Sequence, residues 1–129
     1  MRLFSLLVTA AASASLWVEP AIAHAEAPSL CPAYSHGASA RTALAQIDVY
    51  DGDPADNAAL APDKSSSFAN TITNTWMLSP GAKTTIGCSY GPAAPRLMVP
   101  LPATTAKCVA KIKQTGGPVA YRPVGITCK

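Results

Sequence analysis

Four cysteines constrain this 129-residue chain more than any other feature. Cys31, Cys88, Cys108 and Cys128 all lie beyond an N-terminal stretch built for export. In that stretch Arg2 supplies the positive charge, residues 3 to 18 are apolar with small polar interruptions, and "AIA" (ending at Ala23) and "AHA" (ending at Ala25) each offer a small-x-small cleavage site. Glu19 and Pro20 stop the apolar run short of the ~20 residues that a membrane-spanning helix needs, and no later segment reaches that length. Leu30 is too bulky a neighbour for lipid attachment at Cys31. Residues 1–23 therefore read as a signal peptide, 24–30 as a flexible mature N-terminus and 31–129 as a single disulfide-stabilised domain. In an oxidising compartment, periplasmic or secreted, an even set of cysteines reads as two disulfides. Metal binding is the weaker reading, because there is no C-x-x-C pair and His36 is the one histidine certain to survive processing.

From Asn70 onward, apolar and polar residues alternate with period two, the mark of half-buried antiparallel strands. "NTITNTWML" places Ile72, Trp76 and Leu78 on one face and Thr71, Thr73 and Thr75 on the other. Ile86, Cys88 and Tyr90 share a phase, as do Leu97, Val99 and Leu101, although Pro100 lacks an amide donor and asks for an edge position. Cys108, Ala110 and Ile112 alternate with Lys107, Lys111 and Lys113. The last run sets Val124, Ile126 and Cys128 in phase, with Pro123 demanding a bulge or an edge. "TALAQIDVY" is ambiguous between a strand through Ile47 and Val49 and an Ala-rich helical turn.

Short connections rich in Pro and Gly join these runs, and no βαβ alternation is visible. The expected fold is all-β: a small antiparallel β-meander sheet or partly open barrel with short helical turns, supported by a Trp76-centred core and by disulfides that offset its small size. In a simple meander the strands of Cys88 and Cys108 flank the "RLMVPL" strand, about 9.6 Å apart, beyond the ~7 Å between Cα atoms that a bridge tolerates. Cys108 and Cys128 face each other across "TGGP". The favoured pairing is Cys108–Cys128 with Cys31–Cys88.

Charge is segregated along the chain. Residues 24–63 hold six acids and one base, whereas from Lys64 on there are eight bases and no acid. Such asymmetry points either to acids that lie over the basic sheet or to a surface aimed at an anionic partner. Lys107, Lys111, Lys113 and Arg122 are the candidate partner-binding residues. Nucleic acid is not indicated, because Trp76 and Tyr90 lie in apolar phase and read as core rather than as stacking platforms.

Known catalytic patterns fit poorly. The acidic stretch "DVYDGDPADNAALAPDK" fails as an EF-hand in both registers: from Asp51, position 5 is Ala55 and position 12 is Pro62, and from Asp48, position 3 is Tyr50. "YDGDP" reads instead as a turn, with Asp53 capping a short helical turn. A Ser-His-acid set would have to use His36, and no Gly-x-Ser-x-Gly elbow occurs. No metal or cofactor is indicated.

Several short motifs occur together: "CP" at Cys31, "VYDGDP", "LAPD", "TW", "IGCSYG", a central Cys108 and a final "CK". Their order and spacing resemble an uncharacterised family of small exported proteins of Gram-negative bacteria. The resemblance implies export, a mainly β domain and paired cysteines, and brings no catalytic residues. "CSYG" also resembles a local feature of periplasmic lysozyme inhibitors, small disulfide-bearing β-barrels that insert a loop into the enzyme's cleft.

The combined expectation is a non-enzymatic periplasmic binding or inhibitory module whose partner is an envelope or wall-associated protein or an anionic ligand. The alternatives are an envelope structural component, or a hydrolase or cation-binding protein using Asp51, Asp53 and Asp56. Processing is directly measurable: N-terminal sequencing of the exported protein should begin at His24 or Glu26. A mature chain that retains Met1 would overturn the export reading.

Overall fold

Where the alternation is regular, strands form. The structure, a computed structural model, describes residues 28–35, 41–56, 59–92, 94–117 and 120–129. Seven strands run in chain order: β1 (Gln46–Asp51), β2 (Lys64–Phe68), β3 (Thr71–Met77), β4 (Thr84–Ser89), β5 (Leu97–Pro100), β6 (Lys107–Gln114) and β7 (Tyr121–Cys128). A 3-10 turn at Pro54–Asp56 is the helical element among the described residues. The all-β class holds, and so do both disulfides, Cys31–Cys88 and Cys108–Cys128.

Sequential neighbours are only partly spatial neighbours. The strands divide into a three-stranded sheet of order β1-β4-β5 and a four-stranded sheet of order β2-β3-β6-β7, and every pair is antiparallel. The chain leaves the larger sheet after β3, builds β4 and β5 in the smaller one, and returns as β6 beside β3. The crossing is fixed locally where Leu78 N donates to Ala106 O (2.8 Å) and Gly81 N to Ala103 O (3.3 Å), with Gly81 at a positive φ of 76°. A single meander is thus split in two. The physical reason lies in β4, whose Thr84, Ile86, Gly87 and Cys88 are all buried, so it takes a central place between β1 and β5 rather than a half-exposed one beside β3.

"TALAQIDVY" resolves as strand β1, because Val49 and Ile47 stand opposite Ile86 and Cys88. Strand β2, "KSSSF", has no apolar alternation and was not legible in the sequence. It forms because Ala69 and Asn70, at φ 46° and 62°, make a tight left-handed turn that folds Phe68 back opposite Thr71. Pro100 ends edge strand β5, as its missing donor requires. Pro123 lies in edge strand β7 beside a register shift at Lys111/Ile112. That shift leaves Val124 without a paired partner and 54% exposed, so Val124 does not share the inward phase of Ile126 expected from alternation.

The core lies between the sheets. Trp76, Cys108, Ala110 and Ile126 from the larger sheet meet Val49, Ile86 and Cys88 from the smaller one, joined by Leu44, Tyr90 and Cys31. Cys108 and Cys128 are direct cross-strand partners. Lys107 and Lys129 exchange both main-chain bonds beside them, so the cysteines fall at a non-hydrogen-bonded position, where strands approach most closely. Ser29 and Leu30, at the end of the stretch expected as a flexible lead-in, are bonded to β7: Leu30 N donates to Ile126 O (2.9 Å) and Ile126 N to Ser29 Oγ (3.0 Å). Cys31 then reaches across to Cys88 in the other sheet.

Tyr90 locks this strap, its buried hydroxyl donating to Pro32 O at 2.7 Å. Burial pushes its pKa above the ordinary 10.0. The neutral phenol is the form that the fold favours, so its contribution is complete below pH 10.0 and is lost as pH rises through the raised value. Tyr90→Phe should cost about 1 kcal/mol at neutral pH. Denaturant unfolding across pH should show the gap between the two proteins narrowing above about pH 10; a gap independent of pH would refute this account.

Candidate functional site

Direct cross-strand partners share a face, so the register of the larger sheet fixes what its outer surface presents. One row carries Phe68, Thr71, Lys113 and Arg122; the next, Ser66, Thr73, Lys111 and Gly125; the third, Lys64, Thr75, Val109 and Thr127. Met77 and Lys107 extend the face at one end. The residues between these, including Trp76, Cys108 and Ala110, point into the core.

This face has a distinct chemistry. It gathers Lys64, Lys107, Lys111, Lys113 and Arg122 among hydroxyls of Ser and Thr, with no acid at any paired position of its strands. Phe68, 86% exposed, and Met77, 62% exposed, add apolar groups near its margins. Lys113 and Arg122 are directly opposite each other. Like charges at paired positions destabilise a sheet by a few tenths of a kcal/mol to about 1 kcal/mol. Beside Lys111, the outer surfaces of β6 and β7 and Ser29 enclose a shallow cleft of about 250 Å³ with Val109, Val124 and Thr127 in its wall.

The four candidate cations, Lys107, Lys111, Lys113 and Arg122, thus belong to one face. The sequence reading omitted Lys64, Phe68 and Met77. Met77 was detectable, because it continues the phase of Thr71, Thr73 and Thr75. Lys64 and Phe68 were not, because nothing local in "KSSSF" shows that it pairs with β3.

The acidic stretch does not supply a cover. Asp48 sits on the outer face of the smaller sheet, where Arg96 Nη2 approaches its Oδ2 at 3.3 Å and Gln46 Nε2 its Oδ1 at 2.9 Å. Arg96 also donates to the Tyr50 hydroxyl (2.6 Å) and to Ser89 Oγ (3.0 Å), with its guanidinium 5.4 Å from the centre of the Tyr50 ring. Tyr50 is buried beneath this cover. Asp63 accepts from Met77 N at 2.6 Å and so closes the end of the β2–β3 pair. Asp53 Oδ1 accepts from Ala55 N (3.0 Å), capping the 3-10 turn as its sequence context suggests.

Asp51, Asp53 and Asp56 are all exposed, and among the described residues no three His, Cys, Asp or Glu side chains come together as a metal site. His36 lies outside the described residues. A cleft of about 330 Å³ opens between the sheets, with Ile47, Leu60, Trp76, Ile112 and Pro123 in its walls. Trp76 Nε1 donates to Leu60 O there (3.1 Å). The surroundings are mostly apolar, and among the described residues of its walls no nucleophile stands beside a general base.

The Arg96 cover depends on Gly87, opposite Asp48 in β4. A Cβ at position 87 would stand 2.6 Å from Arg96 Nη2 and 2.9 Å from Tyr50 Cε2. The arginine can swing away, but the packed ring cannot yield as easily. Gly87→Ala should therefore break the Asp48–Arg96 pair and cost roughly 1–3 kcal/mol in denaturant unfolding. Unchanged stability would show that the cluster tolerates the methyl group.

A family model described as "Type VI secretion system Tli immunity protein" matches residues 39–129. No curated protein and no solved structure matches.

Proposed function

Because the chain belongs to the type VI secretion system Tli immunity protein family, a family of non-enzymatic inhibitors, we propose that it binds and neutralises a cognate lipase effector in the periplasm through the outer face of its four-stranded sheet. The pairing of Lys113 with Arg122 on that face, with no acid at a paired position among the described residues, carries the surface assignment. Two cations held opposite each other cost stability in the free protein, and an acidic partner surface relieves that cost on binding. Phe68 and Met77 provide the apolar contacts that a purely electrostatic surface lacks.

Inhibition by such a module needs no chemistry of its own. Cationic side chains steer the effector to the face and raise the association rate, and close apolar contact then slows dissociation. The disulfides support this role, since they fix the sheets in an oxidising compartment where the chain has no other covalent support.

Calorimetry and stopped-flow association with the purified cognate lipase effector provide the test. Charge reversal of Lys107, Lys111 and Lys113 to Glu should weaken binding about a hundredfold, equivalent to ~2.8 kcal/mol, with most of the change in the association rate and in its salt dependence. Lipase inhibition should fall in parallel, while circular dichroism stays unchanged. Lysozyme serves as the comparison, and its activity should not respond. Unaltered affinity in the triple variant would move the site elsewhere, and copurification with a large envelope assembly without any effector would favour a structural role.

A further inference from the structure

The two sheets have four outer strands, and three of them are blunted. β7 contains Pro123, and the Ser29–Leu30 segment bonds to it. β5 is four residues long and ends in Pro100. β1 is met by the following loop, where Leu60 N donates to Val49 O (2.7 Å) and Tyr50 bridges to Ala59. Among the described residues, β2 alone has no proline, no covering segment and five exposed residues in five. Exposed edges of this kind readily accept another strand, and proteins ordinarily protect them.

The register shows which groups are on offer. Met77 N meets the Asp63 carboxylate on the β2 side of β3, whereas Leu78 N bonds toward β6 at Ala106 O. Residues 71, 73, 75 and 77 therefore direct their main-chain groups to β2, and their partners Lys64, Ser66 and Phe68 are the β2 residues that answer them. Alternation turns the N–H and C=O groups of Ser65 and Ser67 outward, away from β3.

We infer that β2 captures an extended, acidic segment of the effector as a fifth strand of the larger sheet, using the main-chain groups of Ser65 and Ser67. This rests on the assignment of the outer face to effector binding and specifies how that face is engaged. An added strand would lay alternate side chains on the same outer face, beside Lys64, Ser66 and Phe68. Position by position, that row favours an acid near Lys64 and an apolar group near Phe68. Charge argues against a second copy of this chain as occupant. Pairing β2 with β2 would join two faces that each carry Lys64, Lys107, Lys113 and Arg122 with no acid at a paired position among the described residues.

Ser67→Pro tests the inference, since it removes an outward N–H from an edge strand, where proline is tolerated. The variant should keep its unfolding midpoint within a few degrees yet bind the purified effector at least tenfold more weakly. Amide exchange in the unaltered protein gives an independent reading: the Ser65 and Ser67 amides should become protected on adding effector. Full affinity in a folded Ser67→Pro variant, or unprotected amides in the complex, would overturn strand capture. If the triple charge reversal still weakens binding in that case, the outer face stands and only the edge fails. If neither variant weakens binding, both readings fall. A dimer formed without effector and abolished by Ser67→Pro would assign the edge to a second copy and also overturn the proposal.

Discussion

The Cys31–Cys88 disulfide is the constraint on which the two-sheet arrangement depends. Cys31 follows directly from Leu30, whose N–H is bonded to β7 in the larger sheet, while Cys88 lies in the centre of the smaller one. Tyr90, two residues beyond Cys88, holds the same strap through Pro32. A stapled crossing is valuable here because each sheet is small and the buried core between them contains only a few large side chains. On loop-closure grounds, the 57-residue interval contributes about 4 kcal/mol and the 20-residue interval of Cys108–Cys128 about 3 kcal/mol.

With the sheets fixed back to back, their outer faces become independent surfaces with different electrostatics. On the smaller sheet the chain satisfies itself: Asp48, Arg96, Tyr50 and Ser89 form one bonded cluster over Gly87. On the larger sheet Lys113 faces Arg122, with no acid at a paired position among the described residues. A protein selected for stability alone would have placed an acid at one of those positions. Under the proposed function, an acidic surface of the partner supplies the counter-charge at that pair.

The legible and illegible parts of this fold divide along a physical line. Trp76, Ile86, Cys108 and Ile126 were identifiable as inward-facing because period two is a property of a single strand, and each lies in a regular run. Val124 failed the same reading because a bulge beside Pro123 adds one residue and flips the phase. β2 escaped notice for a different reason: a serine-rich edge has no buried face, so its sequence bears no record of burial. The candidate cations were visible as alternating lysines, yet the apolar residues beside them depend on pairings between segments far apart in the chain.

The sequence by itself determined the oxidised cysteine pairs, the β class and the separation of acids from bases, because each follows from composition or from local periodicity. Only the tertiary structure decided that β3 takes β6 rather than β4 as its neighbour, that Arg96 is the base the acidic stretch neutralises, and that Phe68 stands in one row with Lys113 and Arg122. Strand pairing is chosen by the fit of whole faces against a shared core, and no single segment contains that information. The acidic stretch shows the difference most clearly. Read alone it resembles a cation loop or a lid, but in the fold it is a strand, a capped turn and an ion pair on the far sheet, away from the basic face.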